Sequence, residues 1–167
     1  SGAGLQRAFT AFQTAVAPVS GKLHFALKAN SAMGVIALLA RCGAGADIVS
    51  AGELARALTA GIAAGDIVFS GVGKSAADIR AALSAGIGQI NAESAAEVAQ
   101  ISGVAAAMGV VAPVALRVNV DVDAGTHAKI STGQRDTKFG ISTDQREAAT
   151  LYAELAADPH IKPMGLA

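Results

Sequence analysis

The chain has 167 residues, of which 52% are hydrophobic and 16% charged, a balance that excludes a disordered, self-repelling segment and allows one domain with a sizeable core. Formal net charge is zero and no basic stripe appears, which argues against nucleic acid as a partner. No apolar run reaches the roughly 18 residues of a membrane span, and the start lacks a signal-peptide layout. The single cysteine, Cys42, cannot form an internal disulfide. The expectation is therefore a cytoplasmic protein without a membrane partner.

The pattern opens with an amphipathic helix on Leu5, Phe9, Phe12 and Val16, ended near Pro18. Lys22 to Ala29 reads as a first strand and Ser31 to Cys42 as a helix stopped by Gly43. Strand and helix then alternate: Ala46 to Val49 and Gly52 to Ala60, Ile67 to Ser70 and Ser75 to Ala85, Gln89 to Ala92 and Ser94 to about Met108. Val114 to Asn119 is the fifth strand, Ala148 to Ala157 a helix, and Pro163 to Ala167 the start of a sixth strand. Ser50 with Glu53 and Ser94 with Glu97 match the capping box; Ser75 with Asp78 is a looser version.

Alternation of this kind predicts an α/β fold with parallel strands and right-handed crossovers. It fits part of a (β/α)8 barrel of the TIM type, with about five βα units and the start of a sixth, because the full barrel needs at least about 200 residues. An open doubly wound sheet satisfies the same periodicity. The chain begins at Ser1 and stops as a strand begins, so it reads as a segment of something longer. The polar stretch from Asp121 to Thr143 breaks the rhythm after the fifth strand. In a barrel it would lie on the face where active sites are built.

Lys28 ends the first predicted strand, and an ammonium among apolar neighbours tends towards a lowered pKa and Schiff-base chemistry. A strand-end lysine reaching solvent is the plain alternative. Asp47 interrupts an apolar strand and calls for a cation or local backbone donors. Glu53 is already explained by its capping position. Arg117 lies among Ala115, Leu116 and Val118, which suggests a carboxylate or phosphate partner, or a structural ion pair. The polar stretch adds His127, Lys129 and Lys138, each of which is otherwise a solvated loop side chain.

Other apparent motifs fail. Gly71-Val72-Gly73-Lys74-Ser75 looks like the end of a P-loop, but Val68 stands where that motif needs a glycine. His24, His127 and His160 show no metal-ligand spacing with Cys42, which reads as a packing residue.

Three segments carry a resemblance. Phe25-Ala26-Leu27-Lys28-Ala29-Asn30 resembles the cofactor-lysine motif of the barrel-type, pyridoxal-phosphate (PLP) dependent decarboxylases acting on ornithine, arginine and diaminopimelate. Gly45 to Leu54 is similar to that family's second-strand segment. His127 to Gly133, followed by Thr137 to Ile141, is similar to a loop of the diaminopimelate branch, with Ala128 where members often have proline.

The resemblance implies PLP held by Lys28 through a Schiff base. It implies cofactor or lysine support from Asp47, Glu53 and Arg117, with His127 and Lys138 in the active-site loop. The implied reaction is decarboxylation of meso-diaminopimelate to L-lysine by a cytoplasmic homodimer. A stacking histidine, a glycine-rich phosphate loop, a ring-nitrogen glutamate, a partner-borne cysteine segment and a β-rich second domain would lie outside these residues. Decarboxylases of ornithine, arginine or carboxynorspermidine, and a catalytically silent PLP-binding homologue, are the nearest alternatives. PLP-barrel racemases fit the residues after Asn30 and the polar stretch less well.

Overall fold

The structure, a computed structural model, describes residues 1–119, 140–142 and 145–167. Helix α1 (Gly2–Val16) leads into strand β1 (His24–Ala26), helix α2 (Met33–Arg41), strand β2 (Gly45–Ile48) and helix α3 (Ala51–Thr59). Then come β3 (Ile67–Phe69), α4 (Ala76–Ala85), β4 (Gln89–Ala92), α5 (Ala95–Met108) and β5 (Ala112–Leu116). Two short strands, β6 (Val118–Asn119) and β7 (Ile141–Ser142), precede α6 (Gln145–Ala157) and β8 (Ile161–Leu166).

Six strands form one parallel sheet in the order β1-β2-β3-β4-β5-β8. The order never reverses. A doubly wound sheet requires a reversal, where helices switch faces, so that alternative is excluded. With right-handed crossovers and monotonic order, every connecting helix falls on the same side of the sheet. Successive helices accordingly pack against one another, α1 on α2, α2 on α3, α3 on α4 and α4 on α5. The result is an arc of a (β/α)8 barrel, as the sequence predicts.

The two faces of the arc differ because side chains alternate along a strand. The helix-facing set includes Ile48, Ile67, Phe69, Ile90, Val114 and Leu116, all 0% exposed. Their burial against residues such as Ile36, Ile79 and Ile101 forms the core, each large side chain contributing about 1.5–3 kcal/mol. The opposite face carries Asp47, Val68, Gln89 and Asn91, all half-buried. In a closed barrel that face would be the interior.

Several local details depart from expectation. β1 stops at Ala26, and Leu27–Ala29 forms a 3-10 turn that holds Lys28. The expected fifth strand is broken at Arg117, and β6 pairs with β7 in a separate parallel pair. β8 begins at Ile161, ahead of Pro163, which its place at the sheet's edge tolerates. Ser50 and Ser94 cap α3 and α5 as expected, but Glu53 and Glu97 reach past them to accept from the backbone N–H groups of Val49 (2.8 Å) and Glu93 (2.7 Å). The shorter Asp78 closes the reciprocal box with Ser75. At the other end of the sheet Gly88 lets β4 start close to its neighbour: a Cβ there would lie 2.2 Å from the Gly65 carbonyl oxygen.

Candidate cofactor site at the strand ends

Because the strands are parallel, their C-terminal ends share one edge, and Lys28, Ser70, Glu93 and Arg117 follow β1, β3, β4 and β5 there. Register places Ala26 opposite Asp47, Asp47 opposite Val68 and Val68 opposite Gln89, so Asp47 and Gln89 lie in one row across the inner face. Lys28 leaves the row on its turn, closed by a hydrogen bond from the Asn30 N–H to the Leu27 carbonyl (3.1 Å). The Asn30 side chain then accepts from the Ala32 N–H (3.0 Å), setting the entry to α2.

Of the two readings of Lys28, desolvated amine or lysine reaching solvent, the structure shows the second. The turn sends Leu27 into the core at 0% exposure and leaves Lys28 exposed. Among the described residues its amine makes no hydrogen bond or ion pair. Asp47 meets a hydroxyl where a cation or backbone donor was expected. Ser70 Oγ donates to Asp47 Oδ1 (2.5 Å) and accepts from Asn91 Nδ2 (3.1 Å), while Asn91 Oδ1 accepts from Gln89 Nε2 (2.7 Å). Glu53 holds the turn between β2 and α3 through Val49.

Arg117 finds its carboxylate in Glu93. Its Nη1 donates to both oxygens, at 2.9 and 3.1 Å, with the Glu93 side chain 4% and that of Arg117 31% exposed. Glu93 also accepts from the Gly140 N–H (3.1 Å), and the Ile141 N–H donates to the Arg117 carbonyl (2.8 Å). One carboxylate therefore ties both borders of the stretch between β6 and β7. Gly140 is suited to this place: its φ is +78°, and a Cβ would sit 3.1 Å from the Arg117 carbonyl oxygen.

Behind this pair lies a second one that the sequence reading missed. Lys74, dismissed with the failed P-loop, is 5% exposed. Its Nζ donates to the carbonyls of Gly71 and Asn91 and to Glu97 Oε1 (3.1 Å), and lies 5.6 Å from the Phe69 ring centre. Glu93 and the polar row were missed as well. A carboxylate just before a capping serine was the available signal for Glu93; nothing pointed to the row. His127 and Lys138 lie outside the described residues. Cys42 is half-buried, in keeping with packing, and His24 sits on the first residue of β1, at the opposite edge of the sheet. A hollow of about 540 Å³ opens beside Glu93, lined by Ser94, Gly140, Ile141 and Glu147 among others, and neither Lys28 nor Asp47 lines it.

An aldehyde cofactor requires a primary amine that it can reach, and the exposed, unengaged Lys28 fits that requirement. Residues 3–167 match the family model described as pyridoxal-dependent decarboxylase, pyridoxal binding domain. The diaminopimelate decarboxylase of Zymomonas mobilis is 52% identical over 143 residues, 86% of this chain and 34% of that protein. The one from Pseudomonas aeruginosa is 48% identical over 166 residues, 99% of this chain and 40% of that protein. The crystal structure of diaminopimelate decarboxylase from Helicobacter pylori complexed with L-lysine superposes with a TM-score of 0.84 at 41% identity, covering 87% of this chain and 36% of that one. The chain thus spans between 34% and 40% of the length of these relatives. With the amine at the mouth of a parallel arc and the family match across nearly every residue, the chain belongs to the pyridoxal-dependent decarboxylases.

Proposed function

We propose that residues 1–167 are an incomplete PLP-binding barrel domain of an enzyme that decarboxylates meso-diaminopimelate to L-lysine and carbon dioxide. The enzyme is a cytoplasmic homodimer acting on a small amino acid. The carrying observation is Lys28: an exposed amine without a described partner, at the strand ends of a chain 48% identical to a diaminopimelate decarboxylase over 166 residues.

When bound, PLP supplies an electron sink for the bond to the departing carboxylate. Lys28 offers the nitrogen that holds the cofactor and, once released, a base that carries a proton at Nζ. Asp47, on the neighbouring strand opposite Ala26, sets a negative charge on the inner face below the strand ends. Arg117, held by Glu93, supports the cofactor from the end of β5. Glu53 fixes the turn through which β2 enters α3. His127 and Lys138 are assigned to the active-site loop on the family resemblance of the polar stretch.

The test uses the full-length protein that carries these residues. Carbon dioxide release from meso-diaminopimelate, ornithine, arginine and carboxynorspermidine is measured with and without Lys28→Ala. The reading predicts release from meso-diaminopimelate and a loss on the order of 10²–10⁴-fold in the variant. Release only from another substrate would move the enzyme to a related decarboxylase. Release from none would leave a silent PLP-binding homologue and sink the enzymatic reading.

A further inference from the structure

We infer that Ser70 and Asn91 are positioning residues that hold the Asp47 carboxylate in one orientation for the cofactor site; the inference rests on the function proposed above.

The three side chains come from β2, the end of β3 and β4, and all are half-buried on the inner face. The hydrogen bonds between them have a direction. An ionised carboxylate only accepts, so the Ser70 hydroxyl must donate to Asp47. That uses the only hydroxyl proton, so Ser70 Oγ must accept from the Asn91 amide nitrogen. The Asn91 oxygen then faces Gln89, whose amide nitrogen donates to it. Turning both amides over would make Ser70 donate to Asn91 and set its bare oxygen against the Asp47 carboxylate, which is repulsive. The charge on Asp47 therefore selects one arrangement of all four side chains, with every proton directed towards it.

The backbone supports the same geometry. The Ser70 N–H donates to the Ile48 carbonyl (2.8 Å), which anchors Ser70 beside the end of the strand bearing Asp47. Oδ1 of Asp47 is engaged, whereas Oδ2 accepts no hydrogen bond among the described residues. The row thus fixes one oxygen and leaves the other to meet a ligand at the strand ends.

The experiment titrates PLP into the full-length cofactor-free protein and follows the absorbance of the bound cofactor. Ser70→Ala and Asn91→Ala should each raise the dissociation constant about tenfold, as expected for loss of a hydrogen bond to a charged group. Each should also alter the pH dependence of the absorbance band. Ser70→Thr, which keeps the hydroxyl, should restore both. On an Asp47→Asn background the Ser70→Ala effect should shrink to near nothing, because the carboxylate it acts through is gone. An unchanged band and affinity in both alanine variants, or a full additive effect on the Asp47→Asn background, would overturn the inference alone. No cofactor band in the unsubstituted protein would overturn the proposed function and this inference with it.

Discussion

Lys74 carries its charge into the core, with its side chain 1% exposed and that of its partner Glu97 9% exposed. Removing one partner of such a pair leaves the other buried and uncompensated. Lys74→Met should therefore destabilise the protein by about 3–5 kcal/mol, read as a lowered urea midpoint. A change within about 0.5 kcal/mol would show that Glu97 finds water or another donor. Lys28 was legible because its neighbours in the chain form a family motif, whereas its exposure follows from a turn that strand periodicity does not reveal. Lys74 was set aside with the failed P-loop, and two of its partners, Asn91 and Glu97, lie 17 and 23 residues further along the chain.

At the scale of elements, the cap of α4 is open to pH. Asp78 has a carboxyl held below its ordinary range, first by the Ser75 hydroxyl, then by the Ser75 and Ala51 N–H groups, with burial opposing. A carboxyl depressed in the folded state adds stability above its unfolded value, and that contribution is lost as pH falls through the folded value. Asp78→Asn should therefore be less stable than the unsubstituted protein at neutral pH, with the difference closing below about pH 4. A thermal-melting difference that persists unchanged into strong acid would contradict this.

Most elements were legible because apolar alternation and capping serines mark them locally. The break at Arg117 was not, since it depends on Glu93, 24 residues earlier, and on the return of the chain at Gly140. The reach of Glu53 and Glu97 past their caps follows from a side chain one methylene longer than that of Asp78, a distinction that the shared Ser-x-x-acid pattern hides.

At the scale of the whole molecule, strand order settles what periodicity left open. Sequential parallel strands with helices on one side bring the ends of β1 to β5 to a single edge, and Lys28, Asp47, Ser70, Asn91 and Arg117 gather around it. The inner polar row could not be read from the sequence. Its members stand on different strands and meet only once the register is fixed. Among the described residues no helix is long and apolar enough to cross a membrane.

The central claim is that Lys28 is the residue that holds the cofactor. The most direct measurement is borohydride reduction in the presence of PLP followed by peptide mapping, on the full-length protein and on this chain. The account predicts a pyridoxyl adduct on Lys28 in the full-length protein. An adduct confined to another lysine, or none at all, would contradict it.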